Sequence, residues 1–141
     1  MATDSQQCVK RQLNGILIPH SIVTIHGQLK HDPDRFAVDF MKDDTTASLH
    51  LNVRFKEGKG IICNNKNDNV WGNEEFQSDI SAFYPGKAFK MDFECLEDSF
   101  KVSVNDKCLL TFNARKKLLK DINYITIWGD IQVHGFSVKL M

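Results

Sequence analysis

Apolar and charged residues alternate without interruption in F-K-M-D-F-E-C, residues 89–95 of the 141-residue chain. Successive side chains of an extended strand point to opposite faces, so this period of two places the phenylalanines and the methionine on one face and the charged residues on the other. F-K-V-S-V, residues 100–104, repeats the pattern. Both segments are typical of half-buried strands.

Similar short segments extend in both directions, separated by clusters of Asp, Asn, Gly and Lys. Asn105-Asp106-Lys107 predicts a turn that leads from residues 100–104 into 108–112 as a hairpin. Three more strands are expected between Ile125 and Leu140, and one short helical turn at Arg115–Lys120. Because ten or more strands occur without an amphipathic helix, the sequence predicts an all-β fold, an antiparallel β-sandwich of two sheets.

The composition is that of an ordinary globular domain, with 42% hydrophobic and 26% charged residues. Lysine plus arginine and aspartate plus glutamate number 18 each, so no global positive field attracts phosphates or anionic lipid. No stretch of about 18 apolar residues is present to span a bilayer. We therefore expect no nucleic-acid partner and no membrane insertion, and we interpret the basic run Arg115–Lys117 as a solvated face.

Four cysteines, Cys8, Cys63, Cys95 and Cys108, have spacings that match neither a disulfide scaffold nor a zinc site. We expect reduced thiols. The first residues, Met1–Gly15, lack the apolar segment of a signal peptide, which predicts synthesis and folding in the cytosol.

A row of unusual polar residues marks S-L-H-L-N-V-R-F, residues 48–55. Leucine, valine and phenylalanine have one parity and face the core, while the other parity presents an imidazole, an amide and a guanidinium about 6.6 Å apart. These three groups belong to His50, Asn52 and Arg54. A hairpin through Gly58–Gly60 would place Asn64, of the following segment I-I-C-N-N-K, beside the row.

The next polar loop carries an indole and two carboxylates in W-G-N-E-E, residues 71–75. Sugar rings have hydroxyl edges, and galactose has an apolar C–H face that can lie on an indole such as Trp71. Hydroxyls both donate and accept hydrogen bonds. Asn provides both functions, Arg only donates, ionised Glu only accepts, and neutral His does either. The combination is typical of a sugar-binding surface that includes Trp71 and Glu74.

H-L-N-V-R-F, I-I-C-N-N-K and W-G-N-E-E resemble the successive carbohydrate-binding motifs of the galectin family. The resemblance covers most of the chain, from S-I-V-T-I-H-G-Q-L (21–29) to W-G-D-I-Q-V (128–133). It implies a jelly-roll, concanavalin-like sandwich with an N-terminal extension at 1–15 and one carbohydrate-recognition domain at 16–141. It also implies a lectin that recognises β-galactosides of the lactose or N-acetyllactosamine type, with no metal, no cofactor and no catalysis.

The resemblance also implies a role for each site residue. One group would contact the axial O4 of galactose, and Trp71 would stack under the ring. Asn64 and Glu74 would hold O6, and Glu74 with Arg54 would bridge to a hydroxyl of the second sugar. The O4 group comprises His50, Asn52 and Arg54.

Two residues depart from the commonest family pattern. Val53 replaces a proline, and its core-facing parity predicts little effect. Phe76 stands where many galectins carry an arginine that pairs with the glutamate equivalent to Glu74. Contacts to the second sugar should therefore differ, and Glu74 would have to be held by Arg54 or another neighbour.

The sequence disfavours three chemical functions other than sugar binding. A glycosidase needs two carboxylates facing one bond, but Glu74 and Glu75 point to opposite faces of an extended segment. The histidines (His20, His26, His31, His50 and His134) lack metal-ligand spacing, and Cys63 has no adjacent general base. The remaining alternative is a galectin-fold protein with altered or lost sugar binding that acts through protein–protein contacts.

The expected partners are β-galactoside glycans on glycoproteins or glycolipids. One sugar site per chain cross-links glycans only if chains associate, so a homodimer is plausible. The family resemblance further implies export without a signal peptide, and hence both a cytoplasmic and an extracellular, secreted form.

Overall fold

The structure is a computed structural model and describes residues 7–114 and 119–140. Twelve strands and a short 3₁₀ helix account for the regular structure of these residues. In chain order they are β1 (Gln7–Gln12), β2 (Ser21–Leu29), β3 (Arg35–Asp43), β4 (Thr46–Arg54), β5 (Gly60–Asn67), β6 (Val70–Trp71), β7 (Glu75–Gln77), β8 (Ala88–Cys95), β9 (Ser99–Val104), β10 (Lys107–Asn113), the 3₁₀ helix (Leu119–Asp121), β11 (Tyr124–Gly129) and β12 (Ile131–Lys139). Within the described ranges no helix is long and apolar enough to cross a membrane.

The strands form two antiparallel sheets that pack face to face. The seven-stranded sheet has the order β1-β11-β3-β4-β5-β6, with β7 also paired to β5. The five-stranded sheet has the order β10-β9-β8-β2-β12. The predicted antiparallel β-sandwich of two sheets is confirmed. We call the side of the seven-stranded sheet that is turned away from the core the outer face.

Aromatic side chains join the two sheets at the centre of the core. The ring centroid of Phe40, on β3, lies 5.0 Å from those of Phe93 on β8 and Phe100 on β9. All three rings are fully buried. Such tilted pairs contribute about 0.5–1.5 kcal/mol each beyond the burial of their apolar area. The core therefore fixes the sheet that carries the candidate site.

The alternation of apolar and polar residues in the sequence matches an alternation of buried and more exposed residues in the strands. In β8 every second residue is buried, beginning with Phe89, which confirms the strand predicted at 89–95. β9 and β10 form the predicted hairpin. Asn105 and Asp106 connect them with φ angles of 50° and 68°, the left-handed pair that a type I′ turn requires and that Asn and Asp tolerate.

The N-terminal part of the described chain differs from the sequence-based expectation. Residues 7–12, predicted to lie in an extension, form β1 and pair with β11 across six residues. Leu13 is buried in the core. β1 is an edge strand, and Val9 is the one core-facing apolar residue within C-V-K-R-Q. Alternation of apolar and polar residues was therefore too weak to reveal this strand in the sequence.

The helical turn predicted at Arg115–Lys120 lies mostly outside the described residues, as does the basic run Arg115–Lys117. The described part, Leu119–Asp121, is a 3₁₀ helix whose Leu119 is buried.

Candidate functional site

A row of polar side chains lies on the outer face of β4. The residues between them are fully buried in the core: Leu49, Leu51 and Val53. His50 and Arg54 are half-buried, and Asn52 is only 3% exposed. β4 lies between β3 and β5 and is hydrogen-bonded on both sides. The predicted row is therefore held at fixed spacing by a central strand.

The hairpin of β4 and β5 places Asn64 directly opposite His50. The side chain of Asn64 is 4% exposed. Its Oδ1 accepts a hydrogen bond from the backbone N–H of Asn65 at 2.8 Å, and its Nδ2 donates to the carbonyl of Gly72 at 3.1 Å. These bonds fix the orientation of the amide and join the row to the segment that carries the indole.

Trp71 lies at the edge of the row and is 50% exposed. Asp68 and Asn69, with φ angles of 48° and 68°, turn the chain from β5 into β6, so that Trp71 pairs with Lys66. The indole centroid is 5.0 Å from that of the His50 ring, and the rings are inclined by 60°. Lys66 Nζ lies 5.0 Å from the same indole centroid. The imidazole and the ammonium position the indole, and half of its surface stays open.

The carboxylate of Asp39, on the neighbouring strand β3, orients His50 from the side. Asp39 Oδ1 accepts a hydrogen bond from His50 Nδ1, and Oδ2 accepts from Thr126 Oγ1 and Trp128 Nε1 at 3.3 Å each. Because a carboxylate only accepts, we assign the proton of the neutral imidazole to Nδ1. Nε2 then carries no proton, so it can accept a hydrogen bond from a hydroxyl group.

Three residues of this network were not predicted as part of the site: Asp39, Thr126 and Trp128. The single charged residue in F-A-V-D-F could have indicated the network, because a buried carboxylate needs hydrogen-bond donors around it. The sequence did not identify those donors, because β3 and β11 are neighbours in the sheet but about 85 residues apart in the chain.

Two buried polar atoms of the row have no hydrogen-bond partner among residues 7–114 and 119–140. They are Asn52 Oδ1 and Arg54 Nε. A buried unpaired polar group costs about 1–3 kcal/mol of folding free energy. Both atoms belong to residues of the row on the outer face of β4, two positions apart along the strand.

Glu74 and Phe76 lie at the far end of the row. Among the residues that the structure describes, Glu74 has no ion pair, so the expected link to Arg54 is not formed. Phe76 is 58% exposed. Its register partner is Ile62, which in turn pairs with Asn52, so the three share the outer face.

The geometry bears on the other chemistries considered. Glu75 pairs with Cys63 on the core-facing parity, opposite to that of Glu74, so the two carboxylates do not face each other. Burial, together with the charge of Glu75, raises the pKa of the Cys63 thiol to about 12, which keeps it protonated. In residues 7–114 and 119–140 no three His, Cys, Asp or Glu side chains form a group that could hold a metal ion.

Comparison with known proteins gives consistent results. The family described as galactoside-binding lectin matches residues 9–138. Galectin-3 of Oryctolagus cuniculus is 43% identical over 127 residues, which cover 89% of this chain and 52% of that protein. Galectin-2 of Mus musculus is 30% identical over 121 residues, 86% of this chain and 90% of that protein. The chain spans about half the length of the galectin-3 relatives that it matches.

A solved structure of sheep galectin-11 in complex with glycerol has a similar fold. The TM-score is 0.82 over 93% of this chain and 96% of that one, at 21% sequence identity. At this identity the likeness concerns the fold.

Proposed function

This chain belongs to the family of galactoside-binding lectins, and from that premise we propose that it binds β-galactosides of the lactose and N-acetyllactosamine type, reversibly and without a metal ion. The proposed site contains His50, Asn52, Arg54, Asn64, Trp71 and Glu74. The observation that carries the proposal is the oriented imidazole of His50, which lies in one row with Asn52 and Arg54 on the outer face of β4 and next to the exposed Trp71.

The row on β4 is suited to the axial O4 hydroxyl of galactose. A hydroxyl donates one hydrogen bond and accepts two. O4–H donates to the acceptor Nε2 of His50, and the oxygen accepts from the guanidinium of Arg54, while the amide of Asn52 has both functions. In glucose O4 is equatorial and points away from the row, which leaves these polar atoms unpaired and disfavours binding.

The indole of Trp71 is suited to the apolar C–H face of the same ring. Half of its surface is open, and its contact with the imidazole of His50 fixes its inclination to the row. Asn64 and Glu74 complete the site at O6: the Asn64 amide is oriented by two hydrogen bonds, and the ionised carboxylate of Glu74 accepts from a hydroxyl. The proposed ligand is therefore bound by one apolar face and one polar edge.

Calorimetric titration with lactose tests the proposal, with sucrose as a sugar without galactose and EDTA in the buffer. At about 0.3 kcal/mol per heavy atom, a disaccharide gains roughly 7 kcal/mol at best, so we expect a Kd of about ten micromolar or weaker. Saturable heat with lactose alone is the expected result. No heat with lactose would refute the proposal and favour a galectin-fold protein that acts through protein contacts.

A matched pair of variants locates the site. Trp71→Ala should abolish lactose binding and leave the fold intact, because the ring is exposed. Tyr84→Ala removes another exposed aromatic ring, 64% accessible and outside the site, and should bind as the wild type does. Unchanged lactose affinity in Trp71→Ala would contradict the assignment.

We further propose that the chain forms a homodimer, since cross-linking of glycans needs at least two sites. β1 and β12 are edge strands of the two sheets, and they lie next to each other. Unpaired edges of this kind can continue across a two-fold axis into a second copy. Light scattering after size exclusion should give twice the chain mass of 16.1 kDa, and the mass of a single chain would rule the dimer out.

A further inference from the structure

Phe76 places an exposed aromatic ring beside the proposed sugar site. It lies on the outer face in the same cross-strand row as Asn52 and Ile62. The side chain of Ile62 is 6% exposed, whereas that of Phe76 is 58% exposed. The ring is thus an accessible apolar surface in an otherwise polar part of the outer face.

Gly60 determines where this ring lies. A Cβ atom at Gly60 would be 2.5 Å from Phe76 Cζ and 2.6 Å from Cε1, so the ring occupies the space above this glycine. Gly60 has a φ of 149°, a conformation that favours glycine, and it is the register partner of Arg54. A Cβ at Gly58 would lie 3.3 Å from Arg54 Nη1. Phe76 and the Arg54 guanidinium therefore flank the same turn.

At this end of the site, Phe76 stands where an arginine could pair with the carboxylate of Glu74. Glu74 has no ion pair in the described part of the chain, and phenylalanine cannot provide one. The group attached to O1 of galactose would lie over Arg54 and Glu74, next to Phe76. Its nearest apolar neighbour would then be the aromatic ring that lies against Gly60.

We infer that Phe76 forms an apolar subsite for the anomeric substituent of the galactoside. The subsite takes the C–H face of a second sugar or an aryl aglycone, which stacks on the ring while Arg54 contacts its polar edge. Aromatic stacking in partly buried sites strengthens binding by about fivefold. This inference rests on the proposed galactoside site and specifies the ligand class at its second position.

The test compares methyl β-galactoside with phenyl β-galactoside by chemical-shift titration of the ¹⁵N-labelled chain. For the wild type we expect the phenyl compound to bind about fivefold more tightly, with nuclear Overhauser contacts between its ring protons and Phe76. Phe76→Ala should bring the affinity ratio close to one and leave methyl β-galactoside affinity unchanged. Phe76→Leu should retain part of the preference, and Tyr84→Ala all of it.

The possible failures are distinguishable. If methyl β-galactoside does not bind the wild type at all, the galactoside site itself is wrong and the subsite with it. If both compounds bind equally well to the wild type, or if Phe76→Ala retains the fivefold ratio, only the aromatic subsite is refuted.

Phe76→Arg provides an independent check of the same subsite. An arginine there would pair with Glu74 and donate to a second sugar. We expect it to bind lactose more tightly than the wild type does and to leave methyl β-galactoside affinity unchanged. Equal lactose affinity in Phe76→Arg and in the wild type would show that position 76 does not contact the second sugar, and it would overturn the inference.

Discussion

Replacement of Arg54 by lysine should separate binding from stability, because the two are expected to change in opposite directions. Arg54 Nε is buried without a hydrogen-bond partner, at a cost of about 1–3 kcal/mol. Lysine has a methylene group at this position and keeps the positive charge. The positive charge opposite Arg35, the register partner of residue 54 on β3, is therefore kept in the variant. We expect the free energy of unfolding to rise by about 1 kcal/mol.

Lactose binding should weaken strongly in Arg54→Lys. The guanidinium is a planar fork that donates to two oxygen atoms, and an ammonium does not reproduce that geometry. Loss of two charge-assisted hydrogen bonds of about 1.5 kcal/mol each gives roughly 3 kcal/mol, or about a hundredfold in Kd. Calorimetric titration measures the affinity, and urea unfolding of the ligand-free protein measures the stability.

Arg35→Lys is the matched control. Arg35 lies opposite Arg54, and its guanidinium carbon is 5.8 Å from the centroid of the Trp128 ring. It should change lactose affinity by less than about threefold. If Arg54→Lys retained wild-type affinity, the role given to the guanidinium would be refuted. If it lowered stability by more than about 1 kcal/mol, Arg54 would be a structural residue instead.

Three further predictions concern the groups that support the site and the core. Asp39→Asn should lower the free energy of unfolding by about 2 kcal/mol, because the amide has one acceptor oxygen for the three groups that donate to the carboxylate; urea unfolding measures the loss, and an unchanged stability would contradict the role of Asp39 as their shared acceptor. In the wild type, ¹⁵N shifts of the imidazole should place the His50 proton on Nδ1, and a proton on Nε2 would contradict the assigned tautomer. Phe40→Ala should cost about 3–5 kcal/mol in urea unfolding, since it removes a ring whose centroid lies 5.0 Å from those of Phe93 and Phe100 in the opposite sheet, and a loss below about 1 kcal/mol would show that the sheets are not joined there. At pH 8 iodoacetamide should alkylate the exposed Cys8 but not the buried Cys63, because the pKa of the Cys63 thiol is raised from 9.0 to about 12, which lowers its thiolate fraction by about a thousandfold. Mass spectrometry of the native protein measures the labelling of both cysteines. Rapid labelling of Cys63 would disprove its burial.

The central part of the fold was predictable because each strand there satisfies a local rule. Alternation identifies β8 and β9 without reference to any other segment, and Asn105-Asp106 identifies the hairpin turn after β9 by its tolerance of positive φ. β1 has no such signal. As an edge strand it is covered on one side only, and Lys10 and Arg11 are compatible with solvent, so only pairing with β11 reveals it.

The site divides in the same way between local and long-range information. His50, Asn52 and Arg54 lie on a single strand, so their common face follows from parity, and Asn64 follows from one hairpin. Asp39 is brought beside His50 by the register of β3 with β4, but the sequence gives no measure of how far two strands are displaced along each other. A shift of one residue would turn Asp39 into the core and remove the acceptor that sets the tautomer of His50. The proposed recognition of galactose therefore depends on a register that is fixed by the core on the opposite side of the sheet.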